Sequence, residues 1–200
     1  HGDFYLQDPS TVMAVTLLDP QPGESVLDTC AAPGGKTTLI AARMGNRGTV
    51  RAEDTSAGRR ALLTENAARL GATCVTITAP PVAGTGTAAP ELFDRVLVDA
   101  PCSNTGVLRR RVELRWRLKP ESLGELRDAQ GHILRAASQR VRPGGILVYS
   151  TCSLEPEENA GVVSEFLRLE PGFEQESDRE ILPWREGVDG AYAARLRRIH

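Results

Sequence analysis

Short apolar runs alternate with longer segments of helical periodicity along most of this 200-residue chain. Several runs are nearly continuous in apolar residues, which is typical of strands buried on both faces of a parallel sheet. Strands that alternate with helices predict a doubly wound α/β fold with a mostly parallel, seven-stranded sheet and one domain over residues 1–200. The predicted strands are residues 24–27, 48–54, 72–78, 93–99 and 146–150, with two closing strands near 172–173 and 191–196.

The segments between these strands carry helix boundary signals. Ser10 precedes an apolar-periodic run and predicts a helix start, and Pro156 followed by two acids predicts another. A segment rich in Pro, Gly, Ala and Thr, residues 79–91, is predicted to be a loop. The other helices are predicted at residues 38–44, 56–70 and 121–141, and the helix from Pro156 extends to residue 169.

Residues 28–37 join the first strand to a helix through a turn of small residues. Strand, turn and helix in this order bring backbone N–H groups against a ligand. Gly34 and Gly35 lack the Cβ atoms that would block a close approach. The segment therefore predicts a nucleotide-type binding loop. Its members are Cys30, Ala31, Ala32, Pro33, Gly34, Gly35 and Lys36.

Two named phosphate-binding motifs do not fit this loop. A P-loop needs a glycine five positions before Gly35, and Cys30 stands there. The dinucleotide fingerprint of three spaced glycines is also absent. A simple tight turn at residues 33–35 is the remaining alternative.

Polar residues follow three further strands, where ligands bind in sheets of this type. Asp54 is predicted to bind a pair of ribose hydroxyls. Strand alternation favours Asp54 over Glu53, because only one of two successive side chains can face the crevice. The alternative is that these acids cap the next helix. Asp99 and Cys102 end the fourth strand, and Cys152 ends the fifth. These groups are expected to meet at one edge of the sheet.

The four cysteines differ in their predicted roles. A thiolate is a strong nucleophile, but a cysteine is equally often a small core residue. Cys74 is predicted to be core, and the side chain of Cys30 is assigned no chemistry. The cysteines have no C-x-x-C pair or neighbouring histidine, which argues against zinc and against a disulfide framework. We therefore expect no metal and a reducing, cytoplasmic location.

Composition is ordinary for a globular protein, with 40% hydrophobic and 25% charged residues. No apolar run reaches membrane-spanning length, so no membrane partner is expected. The net charge of −2 restricts any nucleic-acid surface to a local patch.

Residues 109–119 contain six cationic side chains and one indole ring, a pattern suited to single-stranded RNA. The alternative is a solvated loop with the indole packed inward. The predicted RNA contacts are Arg109, Arg110, Arg111 and Trp116.

Three stretches, residues 28–37, 99–103 and 150–153, closely resemble motifs of the Sun/Fmu (RsmB-like) RNA cytosine-5 methyltransferases. The pairing of a Pro-Cys with a Thr-Cys is highly specific to that family. Other matches span nearly the whole chain, including Gln7, Asp8, Thr105, Gly106, Arg109, Arg110, Trp116, Glu158, Asn159, Asp189 and Gly190.

The resemblance implies a Rossmann-like methyltransferase fold, S-adenosylmethionine as cofactor and a cytosine in RNA, as in ribosomal RNA, as substrate. By family analogy, Cys152 attacks ring carbon 6, Asp99 binds the Watson–Crick edge of the base, and Cys102 assists release of the product. Lys36 would support the local electrostatics. The binding loop of residues 30–36, with Asp54 and Asp99, would hold the cofactor.

Three departures from the family pattern keep other functions open. Residues 78–81 lack the acid that normally contacts adenine, Asn104 replaces a small residue, and the N-terminal RNA-binding region of the family is missing. We therefore expect a catalytic domain alone. The alternatives are a non-catalytic cofactor- or RNA-binding module, and a methyltransferase that acts on DNA or a small molecule.

Overall fold

Seven strands form one sheet in the order β3-β2-β1-β4-β5-β7-β6 in the computed structural model, which describes residues 2, 4–81 and 90–200. The first five strands of this order are parallel, whereas β7 runs antiparallel to both β5 and β6. The predicted α/β class and seven-stranded, mostly parallel sheet are confirmed. The strands are β1 (Ser25–Thr29), β2 (Thr49–Glu53), β3 (Val75–Thr78), β4 (Phe93–Asp99), β5 (Val141–Thr151), β6 (Phe173–Ile181) and β7 (Ala191–Arg198).

Helices cover both faces of the sheet because the central strands are apolar on both sides. In β4, Val96 and Val98 pack toward one core, and Leu97 packs toward the other. The first core includes side chains of α5 and α6, and the second includes side chains of α1 and α2. The helices are α1 (Thr11–Leu18), α2 (Gly35–Arg43), α3 (Ala57–Arg69), α4 (Leu114–Arg117), α5 (Pro120–Ser138), α6 (Ala160–Leu169) and α7 (Pro183–Glu186).

The boundary between α5 and β5 differs from the prediction. The helix ends at Ser138 instead of residue 141, and the strand begins at Val141 instead of residue 146. Val141 pairs with Phe93, and a register shift follows before the next paired residue of β4, Arg95. This irregularity lets the Pro-Gly-Gly segment run within the strand instead of serving as a separate turn.

Two later elements also have different bounds. Residues 156–159 form turns, and α6 begins only at Ala160, because the buried Asn159 adopts a non-helical backbone (φ −105°, ψ −105°). Strand β6 is much longer than the predicted residues 172–173, and it pairs with β7 along its length. The predicted loop at residues 79–91 falls mostly on residues outside the described ranges.

The strand order creates a crevice at one edge of the sheet. The chain passes from β1 outward to β2 and β3, and then returns to the other side of β1 as β4. The connections after β1 and β4 therefore diverge, which leaves a gap outside the carboxyl ends of these two strands. The same edge carries the end of β5, so the segments after Thr29, Asp99 and Thr151 face a common space.

Candidate active site

A cavity of about 1000 Å³ occupies this edge of the sheet. Its lining brings together most of the residues predicted from sequence: Cys30, Ala32, Pro33, Lys36, Asp54, Asp99, Cys102, Arg110, Arg111 and Cys152. Ala31, Gly34, Gly35, Arg109 and Trp116 do not line it. The predicted meeting of four strand ends at one site is therefore confirmed.

The binding loop after β1 takes its shape from an unusual backbone. Cys30 has a positive φ of 57°, and Gly34 has a φ of 107°. A Cβ atom on Gly34 would lie 2.4 Å from Cδ1 of Leu63, and one on Gly35 would lie 2.8 Å from Cε1 of Tyr5. A Cβ atom at either position would therefore force the side chain of Leu63 or Tyr5 to shift, and the positive φ of Gly34 adds backbone strain. The Cys30 thiol is largely buried, which raises its pKa to about 12 and agrees with the absence of assigned chemistry.

Asp54 and Glu53 both line the cavity. The expectation that only one of them would face it is wrong, because β2 ends at Glu53 and strand alternation does not extend to Asp54. Asp54 accepts hydrogen bonds from the backbone N–H groups of Ala32 (3.3 Å) and Ser56 (3.0 Å). Its carboxylate therefore ties the binding loop to the start of α3. Glu53 instead accepts a hydrogen bond of 2.7 Å from Nη1 of Arg140.

Lys36 and Asp99 form an ion pair inside the cavity. Nζ of Lys36 lies 2.7 Å from Oδ2 of Asp99, and the Ser150 hydroxyl donates to Oδ1 at 2.8 Å. Burial alone would lower the pKa of Lys36, but the attraction and hydrogen bond of Asp99 outweigh it and raise that pKa. Lys36 is therefore a fixed positive charge beside the carboxylate.

The two cysteines at the ends of β4 and β5 meet in this cavity. The sulfurs of Cys102 and Cys152 are 3.4 Å apart and are not joined by a disulfide. The hydrogen bond from Cys102 lowers the pKa of Cys152, and Lys36 adds to this effect against burial and the Asp99 charge. The same hydrogen bond raises the pKa of Cys102. Cys152 is thus the better nucleophile of the two.

A buried carboxylate holds the two cysteine loops together. Glu158 is fully buried; its Oε1 accepts from the backbone N–H of Ser103 and from Nε2 of Gln130, both at 2.9 Å. Its Oε2 accepts from the hydroxyls of Ser153, at 2.5 Å, and Ser103. Since these serines directly follow the two cysteines, Glu158 fixes the position of one sulfur relative to the other.

Close backbone contact supports the same loops. The N–H of Gly106 donates to the carbonyl oxygen of Cys152 (2.9 Å), and the N–H of Gly190 donates to that of Gly106 (2.8 Å). A Cβ atom on Gly106 would lie 2.5 Å from the Gly190 oxygen and 2.7 Å from the Cys152 oxygen. Only glycine allows this approach without a shift of the Cys152 loop.

The predicted RNA contacts fall into two groups. Arg109 and Arg110 each pair with two buried carboxylates, those of Asp8 and Asp189. Burial would raise the pKa of Asp8, but hydrogen bonds from backbone N–H groups and the charge of Arg110 hold that pKa at about 2. These two arginines therefore anchor the segment that follows Cys102.

The other two predicted contacts are available to a ligand. Arg111 lines the cavity, and Trp116, in the short helix α4, is 86% exposed. The alternative in which Trp116 packs inward is therefore wrong. A positive charge and an exposed ring therefore lie in the same segment.

Sequence reasoning missed three features of the site. The roles of Glu158 and of the pair Asp8 and Asp189 depend on contacts between distant segments, although these residues lie in stretches that match the family. The contact of Asn104 with the Cys152 sulfur, at 3.0 Å, was also missed. Its signal was the departure from a small residue at that position.

The geometry agrees with what this chain is similar to. Residues 15–197 match the family described as 16S rRNA methyltransferase RsmB/F. The chain belongs to the RsmB/F family. The probable ribosomal RNA small subunit methyltransferase B of Bacillus subtilis is 37% identical, over 99% of this chain and 48% of the relative. Ribosomal RNA small subunit methyltransferase F of Klebsiella pneumoniae is 42% identical, over 95% of this chain and 39% of the relative. The chain spans about half the length of these curated relatives, or less.

Solved structures at 30% identity or more share the fold of this chain. NSun6 from Pyrococcus horikoshii, crystallised with SFG, an analogue of S-adenosylmethionine, superposes with a TM-score of 0.90. It is 30% identical and covers 100% of this chain and 54% of its own. A methyltransferase homologue from the same organism has a TM-score of 0.83 and 31% identity, and the match covers 98% of this chain and 68% of that homologue. The predicted Rossmann-like methyltransferase fold is confirmed.

Two further observations concern only residues 2, 4–81 and 90–200. No helix there is long and apolar enough to cross a membrane. Nor do three or more His, Cys, Asp or Glu side chains group there in a way that could hold a metal ion.

Proposed function

We propose that this chain transfers a methyl group from S-adenosylmethionine to carbon 5 of a cytosine in RNA, through a covalent bond to Cys152. The observation that carries this proposal is the 3.4 Å separation of the Cys102 and Cys152 sulfurs in one cavity with Lys36 and Asp99. A protein that only binds its ligands has no use for two thiols at this point.

The cavity fits the donor that the family implies. S-adenosylmethionine supplies a methyl group on a positively charged sulfur. Four residues of the binding loop line the cavity, Cys30, Ala32, Pro33 and Lys36, and with the Asp99 carboxylate they would hold this donor. Glu53 and Asp54 are the acids in the lining that could bind ribose hydroxyls. The apolar surface of Ile133, Ala136 and Ala137 is available to adenine. Adenine binding by this surface would explain how the chain manages without an acid at residues 78–81.

The side chains then divide the reaction on cytosine among them. The Cys152 thiolate bonds to carbon 6, which opens the double bond between carbons 5 and 6 and makes carbon 5 nucleophilic. Asp99, held by Lys36 and Ser150, accepts a hydrogen bond from the amino group on the Watson–Crick edge, and the Lys36 cation offsets the negative charge that Cys152 brings onto the ring. After methylation, the carbon 5 proton passes to solvent water, the double bond re-forms and Cys152 leaves as a thiolate. Cys102 donates a hydrogen bond to the departing sulfur.

The RNA would approach past the segment that follows Cys102. Arg111 offers a charge for phosphate, and Trp116 offers a ring for stacking on an unpaired base. Arg109 and Arg110 serve mainly to hold this segment in place through Asp8 and Asp189. The target cytosine must leave any base stack to reach the cavity.

Ribosomal RNA is the substrate class we favour, because the family and the curated relatives are named for it. The cytoplasmic location is proposed because a disulfide between Cys102 and Cys152 would remove the nucleophile, and both thiols are free. The assignment of residues 1–200 as a catalytic domain stays a prediction.

The test traps the covalent step. The chain is incubated with S-adenosylmethionine and a small-subunit ribosomal RNA transcript in which cytidine is replaced by 5-fluorocytidine. We expect a protein–RNA adduct that resists denaturing gel electrophoresis, because fluorine at carbon 5 cannot leave as a proton does. Cys152→Ala should form no adduct. Cys102→Ala should accumulate adduct even on ordinary RNA, since release is impaired.

Cys74→Ala is the control, because Cys74 lies outside the cavity lining. Adduct formation that survives Cys152→Ala would overturn the assignment of the nucleophile. Measurable binding of S-adenosylmethionine without any adduct would favour the alternative of a non-catalytic cofactor-binding module.

A further inference from the structure

Asn104 is the polar side chain that closes a ring of hydrogen bonds around the two sulfurs. Its Nδ2 donates to the carbonyl oxygen of Cys102 at 2.6 Å, and its Oδ1 lies 3.0 Å from Sγ of Cys152. Its backbone is left-handed, with φ 62° and ψ 26°. Asn and Gly adopt this conformation at the lowest cost, so glycine would satisfy the backbone but would lack the amide.

The network decides which atom of the amide faces the sulfur. The backbone carbonyl oxygen of Cys102 can only accept a hydrogen bond, so it must face Nδ2 of Asn104. Oδ1 of Asn104 then faces the Cys152 sulfur. An amide oxygen can also only accept. The proton of this contact therefore belongs to Cys152, which is bound here as a thiol.

The groups that face the Cys152 sulfur oppose one another. The thiol of Cys102 and Lys36 from α2 both favour a thiolate, whereas burial and the Asp99 carboxylate at the end of β4 disfavour it. Asn104 carries no charge, but its oxygen would face a negative sulfur at 3.0 Å once the proton is lost. A hydrogen bond that only the neutral form can make favours that form.

We propose that Asn104 is a catalytic residue that contacts the reacting sulfur. Its amide oxygen holds Cys152 as a thiol until the substrate cytosine displaces this contact. Its role in catalysis rests on the proposed function, whereas its effect on the thiol does not. The consequence is a nucleophile that is protected from alkylation and oxidation while the cavity holds no RNA.

The test measures the thiol directly, without RNA or methyl donor. The rate of Cys152 alkylation by iodoacetamide is followed by peptide mass spectrometry between pH 6 and pH 10, and thermal unfolding checks that each variant is folded. Asn104→Gly should lower the midpoint of the pH–rate profile by about 0.7 unit, which corresponds to a roughly fivefold shift toward thiolate for the loss of one hydrogen bond. Asn104→Asp should raise the midpoint by about one unit or more, since a second carboxylate then faces the sulfur.

Asn46→Gly is the matched control, because Asn46 also has a positive φ (54°) but bonds to Gly71 instead of the cavity. It should keep the midpoint of the unchanged protein. An unchanged or higher midpoint in Asn104→Gly overturns the inference, as does a lowered midpoint in Asn104→Asp. If Asn104→Gly does not fold, Asn104→Asp alone decides. If the chain forms no RNA adduct but shows these shifts, the proposed function is overturned and the effect of Asn104 on the Cys152 thiol still stands.

Discussion

Two buried acidic residues lie behind segments that line the cavity, and their hydrogen bonding differs: Glu158 lies behind the two cysteine loops, which we call the thiol wall, and Asp28 lies in β1 beneath the binding loop, which we call the donor wall. Glu158, on the wall of the thiols, accepts four hydrogen bonds. Asp28, beneath the binding loop on the opposite wall, accepts one of 2.6 Å from Thr37, and its Oδ1 has no donor among the described residues. The Glu158 carboxylate is therefore fully hydrogen-bonded, and the Asp28 carboxyl group is not.

The difference follows from how each wall is built. The binding loop comes from a single strand–turn–helix segment, and local backbone geometry holds most of its shape. The cysteines lie 50 residues apart, so side chains from separate segments must hold them in register. A long-range constraint of this kind needs a strong, many-bonded centre, which Glu158 supplies.

The largest effect is expected on the thiol wall. Glu158→Ala should lower the free energy of unfolding by about 3 kcal/mol, because it leaves several buried donors without an acceptor. It should also abolish adduct formation, since the loops of Cys102 and Cys152 lose their common anchor. Urea denaturation and the 5-fluorocytidine assay measure the two effects.

Glu157→Ala is the control for this substitution, because Glu157 is exposed. It should change the free energy of unfolding by less than about 0.5 kcal/mol. If Glu158→Ala were as mild, the thiol wall would not depend on its carboxylate.

A smaller, pH-dependent effect is expected on the donor wall. Burial raises the pKa of Asp28 to about 7, against the hydrogen bond from Thr37. Because this pKa lies above the unfolded value, the wild type should lose stability as the pH rises from about 4 to about 7. Asp28→Asn removes this loss, so between pH 5 and pH 8 the variant should gain about 2 to 3 kcal/mol relative to the wild type.

Urea denaturation at the two pH values measures this difference. Asp128→Asn, which changes an exposed carboxylate, should follow the wild type throughout. An Asp28→Asn variant that parallels the wild type would show that Asp28 does not titrate in this range, and the contrast between the two walls would fail.

The smallest effect separates strain from packing in the binding loop. Gly34→Ala and Gly23→Ala both place a Cβ on a backbone with positive φ, but only the first meets another atom, Cδ1 of Leu63. Gly23→Ala should cost about 1 kcal/mol of stability from strain alone, and Gly34→Ala about 1 kcal/mol more. Equal costs would mean that Leu63 moves freely. Thermal unfolding of the two variants measures these stability costs.

The element boundaries illustrate how far local patterns extend. The strands β1, β2 and β4 and the helix α3 lie within a few residues of their predicted positions, because buried strands and amphipathic helices have strong local signals. The start of β5 was misplaced, since its Pro-Gly-Gly segment indicates a turn locally but pairs through a bulge beside β4. The start of α6 was misplaced because Asn159 is committed to Thr151 and Ser153 of the thiol wall.

From its residues alone, this chain specifies a doubly wound sheet, a binding loop after its first strand and a family through the paired Pro-Cys and Thr-Cys motifs. These features are encoded by short-range periodicity, turn residues and local spacing. Only the tertiary structure decides that Arg109 and Arg110 hold a segment in place and that both Glu53 and Asp54 reach the cavity. It also decides that Glu158 bonds to the serines after both cysteines and that Asn104 contacts the Cys152 sulfur. Each of these depends on hydrogen bonds or ion pairs between separate segments, and their geometry exists only once the sheet has brought those segments together.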